Sequence, residues 1–577
     1  MATTPLPPSL PNLPAWSTMV YNLPSIVDRM TDLYVEKLKS MPPGSSPAPV
    51  EAQLELLQCI QQFVIAENGY RPKRDQIRTP EALPPTSIAK LANAMFSIRR
   101  IPCAGAESDP NYDVLGIYQA SGPDAGIYLT SKFEFEKLIH QYNSLYKPQD
   151  FNQFMNILAQ IAERQEPCQE RDLVAVNNGI FNVRTKQLQP FDPNLVFLSK
   201  SRVDYVPNPV NPVIHNPDDN TDWDVESWMA DLSDDPEVVR LLWEILGAII
   251  RPNVPWNKSA FFYSATGNNG KGTLCALMRN LAGKNTCASI SLADFSKEFM
   301  LEGLMRASCI VVDENDVGTY IDKGAFLKAV ITGDVLQINR KYEKALTIQF
   351  RGFMVQCLNE LPRIKDKSES LYRRLLFVPF TKCFTGAERK YIKEDYLSRP
   401  EVLQYVLWRV LNMNYYELSS PKACQDVLDG YKSFNDPLRQ FVEEFFGGSG
   451  SEFQWDVIPI SFLYDLYKAW FAENCPGGLK LGRNVFFGKI AQMESEAPGW
   501  RVVRGDHRPG QGMAKPEPLI TRYKLENWRN KFYHGTDPNT INTPTLKDKY
   551  RGCFVRVTVK SNFVPLNPGS VANTEST

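Results

Sequence analysis

At 577 residues the chain is too long for one ordinary hydrophobic core and implies about three or four domains, each able to bury a core of its own. A hydrophobic fraction of 43% with 22% charged residues is that of a globular protein, and no apolar run approaches the roughly eighteen residues that span a bilayer. A net charge of -1 means that nucleic-acid binding cannot be read from the total and has to come from local patches.

The opening stretch, "MATTPLPPSLPNLPAW", carries five prolines in its first fifteen residues and neither a basic nor an apolar core, so it reads as a disordered leader and not as a secretory signal. "LPSIVDRMTDLYVEKLKSM" then has helical periodicity and is followed by the breaker "PPGSSPAPVE". Residues 1–50 are therefore expected to be a leader and a linker helix, and residues 51–170 a mostly helical N-terminal domain. From 171 to 250 the texture changes. "DLVAVNNGIFNVRTKQLQPF" alternates apolar and polar residues around an Asn-Gly turn, as small hairpins do, and a helical segment follows. Within that segment "LLWEILGAII" is short and contains Glu244, which favours a buried helix over a membrane span. Eleven cysteines without a C-x-x-C pair and four scattered histidines point to reduced thiols in a cytoplasm and argue against a zinc site.

Residues 251–385 carry the chemistry. "FFYSATGNNGKGTLCALM" is a strand-like run, a glycine-rich break and a helix-forming run, the order needed for backbone N–H groups to wrap phosphates at a helix N-terminus. Thr266, Gly267, Asn268, Asn269, Gly270, Lys271, Gly272 and Thr273 are the candidate nucleotide-binding residues. The strict pattern G-x-x-x-x-G-K-[ST] is broken twice: Ala265 replaces the first glycine, and Gly272 replaces the magnesium-binding hydroxyl, with Thr273 one place later. Forty-two positions after Lys271, "CIVVDEND" is an apolar strand ending in Asp313 and Glu314, one carboxylate suited to a magnesium shell and one to polarising water. "TGDVLQINRKYEKALTIQF" reads as a hairpin with Arg340, Lys341 and Lys344 at its tip beside Tyr342, a combination that suits a nucleic-acid backbone and its bases. "GFMVQCLNELP" ends a strand at Asn359, placed to orient a water, and "SLYRRLLFVPF" offers Arg373 and Arg374 as candidate arginine fingers.

In this order, "NNGK", the strand ending in "DE", a K-x-x-x-T-G-D stretch from Lys328 to Asp334, the basic hairpin, "NELP" and "RRLLFVPF" resemble the superfamily 3 helicases, in their phage and plasmid primase-helicase branch related to the poxvirus replication helicase. The resemblance covers roughly residues 110 to 400 and extends over 436–530 as the family's winged-helix end. It implies an α/β, AAA+-like P-loop core, ATP with magnesium as the nucleotide, and a homo-hexamer moving 3′ to 5′ on single-stranded and forked DNA. It assigns Lys271 as the Walker lysine, Asp313 and Glu314 as the Walker B acids, Asn359 as the sensor, Lys341 or Lys344 as the pore lysine, and Arg374 as the finger with Arg373 as fallback. Thr273 would sit on a phosphate or aid the metal.

Residues 386–435 read as a helical connector. In 436–530, two helical stretches precede "WRVVRGDHRPGQGMAKPEPLITRYKL", which reads as two strands about a polar loop, so a winged helix is expected, binding either DNA or protein. Residues 501 to 530 hold seven Lys or Arg against three acids, enough for a phosphate-gripping wing. Residues 531–577 are expected to be a loose tail. Residues 1 to 170 lack the D-x-D pair of an archaeo-eukaryotic primase, so a separate primase is the expected partner. Two other readings stay open: a DNA-binding protein that uses ATP only to assemble at an origin, and a P-loop nucleotide kinase, which shares "GKGT" but has no use for a basic hairpin.

Overall fold

The computed structural model describes residues 22–42, 45–105, 107–297, 300–305, 307–316, 320–321, 324–340, 343–386, 389–447, 452–474 and 480–557. The chain divides into two compact units, with the boundary between residues 428 and 429.

The first unit opens with helices Leu23–Ser40, Pro49–Asn68 and Pro85–Met95. Asn22 caps the first by accepting from Ser25 N–H, while the Ser25 hydroxyl side chain receives the Asn22 N–H, so two otherwise orphaned donors are satisfied. Its apolar residues recur every four positions at Ile26, Met30, Tyr34 and Leu38, and all four are buried. This corrects the expectation of a linker helix: a stripe that regular needs a partner, and it packs in one core with Leu56, Ile60, Leu91 and Phe154. Residues 1–21 lie outside the described residues. A small sheet, ordered Tyr128–Leu129, Val114–Tyr118, Ile98–Ile101, Glu163–Arg164, completes this region.

The Asn-Gly segment folds as read, with Leu173–Val176, Gly179–Asn182 and Gln187–Gln189 forming an antiparallel sheet around a two-residue turn at Asn177 and Asn178. The helix Pro236–Ile250 is buried along "LLWEILGAII". Its Glu244 is 1% exposed and satisfied, receiving Arg240 Nε at 3.1 Å, Ser419 N–H at 2.7 Å and the Ser419 hydroxyl at 2.8 Å. Among the described residues no helix is long and apolar enough to cross a membrane.

The centre of the unit is a five-stranded parallel sheet, in the order Cys287–Ala288, Cys309–Val312, Phe353–Leu358, Ser259–Tyr263, Leu375–Pro379. Cys309–Val312 and Phe353–Leu358 are buried along their whole length, which is why they read as continuous apolar runs. The expected division into 171–250, 251–385 and 386–435 does not describe separate bodies. Val176, Trp223 and Leu246 share one continuous core with Phe262, Leu277 and Val355 of the sheet layer and with Val406 and Leu411 of the following helix Pro400–Leu411. Each stretch alone is too short to bury its apolar face, so the three pool it.

The second unit runs helix Pro437–Phe446, strand Val457–Pro459, helix Ile460–Asn474, helix Arg483–Ile490, strand Trp500–His507 and strand Tyr550–Arg556. The last of these lies in the middle of the sheet, paired antiparallel to both others. Two expectations are corrected here. "LITRYKL" is not the return strand, because Leu519–Arg522 is a helical turn with Leu519 and Ile520 buried. Residues 531–577 are not a loose tail throughout, because "YRGCFVR" supplies the return strand, with Tyr550, Cys553 and Phe554 in the core beside Trp455, Phe462 and Trp500.

Candidate nucleotide site

Three of the motifs converge because parallel strands bring their carboxyl ends to one edge, where α/β sheets bind ligands. The Phe353–Leu358 strand lies between the Ser259–Tyr263 strand, which leads into the glycine-rich loop, and the Cys309–Val312 strand, which ends at Asp313. The loop itself needs left-handed backbone at two positions, Asn268 (φ 54°) and Gly270 (φ 84°). A Cβ at Gly270 would also lie 2.6 Å from Leu232 Cδ2, so any other residue there would have to displace that methyl. The loop is also tied down from outside. Phe384 N–H donates to the Asn268 carbonyl at 2.7 Å, and the Asn268 amide donates to the Thr385 hydroxyl at 3.3 Å. Asn269 is buried and its amide donates to the Thr266 carbonyl.

Lys271 opens the helix Lys271–Ala282 and is only 5% exposed. Its ammonium donates to the Leu358 carbonyl at 3.1 Å, the Asn359 Oδ1 at 3.0 Å and the Ser264 carbonyl at 3.4 Å. It therefore joins the loop strand to Asn359 directly. Burial lowers its pKa, and among the described residues no carboxylate pairs with it, so the site offers a positive charge without a countercharge. At the N-terminus of a helix, where the macrodipole is positive, that is an anion-binding arrangement. Gly267 and Thr266 are exposed on the loop, and Thr273 lies in the first helical turn.

Asp313 and Glu314 follow the Cys309–Val312 strand and are both exposed. Asp313 is not unengaged: Arg279 Nη2 donates to its Oδ1 at 2.7 Å and to the Val311 carbonyl at 3.0 Å. The Arg279 hydrogen bond holds the Asp313 carboxyl below its ordinary value. Sequence reading missed Arg279, although Lys271, Cys275 and Arg279 recur every four residues and so share one face of the helix. It also missed the buried amide pair behind the acids. Asn315 receives Leu292 N–H at 2.9 Å and donates to Gln356 Oε1 and to the Cys357 carbonyl, both at 3.0 Å, while Gln356 donates to the Ile290 carbonyl at 2.9 Å. These bonds fix the loop after Asp313 to the strand that carries Asn359. Among the described residues no group of three His, Cys, Asp or Glu side chains is placed to hold a metal. Magnesium keeps much of its water and takes one or two carboxylates plus substrate phosphates, so Asp313 with Glu314 beside it fits a hydrated ion, while Gly272 offers it no oxygen.

Arg373 and Arg374 lie at the other end of the sheet. Ser259 N–H donates to the Arg374 carbonyl at 2.9 Å, which puts both arginines where the strands begin, roughly 15 Å along a five-residue strand from the loop. Arg374 Nη1 is turned back onto Ser370, bonding its carbonyl and its hydroxyl, the latter at 2.6 Å. Arg373 is exposed and pairs with no carboxylate among the described residues. The hairpin is present as Val335–Arg340 and Glu343–Gln349 in antiparallel register, with Arg340 opposite Glu343. Arg340 and Lys344 thus flank the tip, whereas Lys341 and Tyr342 lie outside the described residues.

Residues 109–244 match the family described as "D5 N terminal like", 433–528 the family described as "Poxvirus D5 protein-like", and 262–374 a family of unknown function, DUF5906. The chain is a relative of the D5-type primase-helicases of phages and viruses, as the motif order implied. It is 23% identical over 378 residues to the candidate helicase 121R of Invertebrate iridescent virus 3, a match covering 58% of this chain and 38% of that protein, so the chain spans well under half of this relative's length. Solved structures of the NrS-1 C-terminal region are also similar, at 13% identity and TM-score 0.39 over 77% of this chain and 91% of that one, and at 14% and 0.41 over 81% and 98%.

Proposed function

We propose that the chain is an ATP-driven, ring-forming DNA helicase of the superfamily 3 type, serving replication of a phage or other mobile element. The observation that carries this reading is the buried Lys271 ammonium, bonded to Asn359 and facing no carboxylate, on the strand edge shared with Asp313 and Glu314. Lys271 and the loop N–H groups hold the β- and γ-phosphates of MgATP. Asp313 takes part of the hydration shell of the metal, and Thr273 contacts a phosphate. Glu314 polarises the attacking water and Asn359 orients it.

An arginine finger in this chain acts on a neighbour's nucleotide, since both candidates lie at the opposite end of their own sheet. Arg373 suits the role better than Arg374, whose guanidinium is already engaged by Ser370. Hydrolysis and assembly are then one process, consistent with a hexamer. The hairpin carrying Arg340, Lys341 and Lys344 grips the phosphates of one strand in the channel. The order helix, strand, helix, helix, strand, strand in the second unit supports a winged helix, with Arg501, Arg504 and Arg508 exposed on and beside its hairpin.

The test is ATP hydrolysis measured with and without single-stranded DNA, together with unwinding of a forked duplex. DNA-stimulated hydrolysis with strand separation is expected. Stimulated hydrolysis without separation would favour the ATP-gated origin binder, and phosphoryl transfer to a nucleotide would favour a kinase.

A further inference from the structure

The K-x-x-x-T-G-D stretch, Lys328 to Asp334, supplies none of the groups assigned above to nucleotide or DNA, yet it is tied down at both ends. Its lysine and threonine lie on the helix Gly324–Thr332, which leads into the hairpin strand Val335–Arg340, and their spacing of four puts both on one helix face. At the hairpin end, Asp334 N–H donates to the Ala329 carbonyl at 2.9 Å and the Thr332 hydroxyl donates to Asp334 Oδ2 at 2.6 Å. Gly333 makes the turn between them with left-handed backbone, φ 66°. The start of the hairpin is therefore clamped to the last turn of the helix.

The other attachment reaches the segment that carries Arg373. Lys328 Nζ donates to Asp366 Oδ2 at 2.7 Å, the two side chains being 29% and 23% exposed. Asp366 Oδ1 receives Ser368 N–H at 2.9 Å, and the Ser368 hydroxyl receives Leu371 N–H at 3.3 Å, which caps the helical turn Glu369–Tyr372. Arg373 N–H closes that turn on the Glu369 carbonyl at 3.1 Å. The fit is close, since a Cβ on Gly324 would lie 3.1 Å from Asp366 Cβ.

We infer that Lys328 is a positioning residue for Arg373: the helix Gly324–Thr332 is a rigid element between hairpin and finger, and the Lys328–Asp366 pair is its joint to the finger segment. The inference rests on the helicase reading above and on the finger role of Arg373. A strand held by one subunit's hairpin then sets the finger that the same subunit presents to its neighbour, so DNA engaged at one subunit governs hydrolysis at the next and not in its own pocket.

Rings of the full chain test this, with circular dichroism to verify folding and light scattering to verify assembly. Lys328→Ala should bind MgATP and single-stranded DNA with unaltered affinity, while kcat in the presence of DNA falls by about a hundredfold, the cost of misplacing a catalytic group by about 1 Å. Asp366→Asn, which keeps an acceptor for Ser368 N–H, should show the same loss, and the double variant should lose no more than either alone, as partners in one interaction do. Mixed rings give the direction of action. Lys328→Ala has an intact pocket and a misplaced finger, so DNA-stimulated turnover should return on mixing it with Lys271→Ala and should not return on mixing it with Arg373→Ala. Complementation with Arg373→Ala would put Lys328 in the service of its own pocket and overturn the inference, as would a wild-type stimulated rate in Lys328→Ala or losses that add in the double variant. Failure of Lys271→Ala and Arg373→Ala to complement each other would remove the finger and this link with it, whereas absence of ATP hydrolysis by the unaltered chain would overturn the function proposed above.

Discussion

Lys271 carries a positive charge into a position 5% exposed, and the geometry around it fixes what substitution does. Lys271→Ala removes three hydrogen bonds and the proposed phosphate contact, so ATP hydrolysis should be lost in a chain whose circular dichroism still reports a folded protein. Wild-type hydrolysis in that variant, measured as phosphate release, would refute the nucleotide reading. Glu314→Gln keeps shape and exposure and should retain ATP binding while turnover falls by a factor of about a hundred or more, as loss of a general base does. The places of the glycine-rich loop, the acids and Asn359 at strand ends were legible in the sequence because each carries polar residues directly after an apolar run. Arg279 was not legible as a partner of Asp313: it reaches that carboxylate from a helix face 34 positions earlier, and only the folded chain brings the two together.

Helices and strands with strong periodicity were readable to within a few residues, including the hairpin Val335–Arg340 with Glu343–Gln349 and the buried helix Pro236–Ile250. Pairing between distant strands was not, because "YRGCFVR" has no local signal that it belongs between residues 457 and 500. Two elements make testable demands. Asn315→Ala takes the acceptor from the Leu292 N–H and the donor from Gln356 Oε1 and the Cys357 carbonyl in a dry interior, which should cost the first unit about 1–3 kcal/mol in urea unfolding. In the second unit Glu517 is fully buried, and desolvation pushes its carboxyl up to about 7 despite hydrogen bonds from Gln454 and Trp455 N–H. Between the ordinary carboxyl value and about 7 the folded unit holds a proton that the unfolded chain has released, so this group's contribution to stability falls as pH rises through that window. Glu517→Gln should gain thermal stability over wild type on going from about pH 5 to about pH 8, and a pH-independent difference between the two proteins would disprove the assignment.

At the scale of the molecule, the finger role proposed for Arg373, at the opposite end of its sheet from the glycine-rich loop, would make turnover a property of an assembly. Arg373→Ala alone and Lys271→Ala alone should both be inactive, yet mixed rings should regain part of the activity, since one variant supplies fingers and the other supplies intact pockets. Absence of complementation in rings verified by light scattering would remove the finger from Arg373. Replacing Lys341 and Lys344 together by alanine should preserve basal hydrolysis and oligomer size while abolishing DNA stimulation and fork unwinding. An unchanged unwinding rate would reduce the hairpin to a solvated loop.

The position of the Tyr550–Arg556 strand also governs the order of events on the ribosome. Its two neighbours in the sheet, Val457–Pro459 and Trp500–His507, emerge first and have no partner in each other. Until residue 556 has cleared the exit tunnel, both present open edges of the kind that pair with other nascent chains. A chain cut after residue 530, close to where the D5-like match ends at 528, would keep those edges permanently and should sediment as aggregate on expression, whereas a chain cut after residue 557 should stay dispersed. Synthesis of the closing strand is thus the step at which this unit commits to folding, and slowing translation just before codon 550 should lengthen its dependence on chaperones.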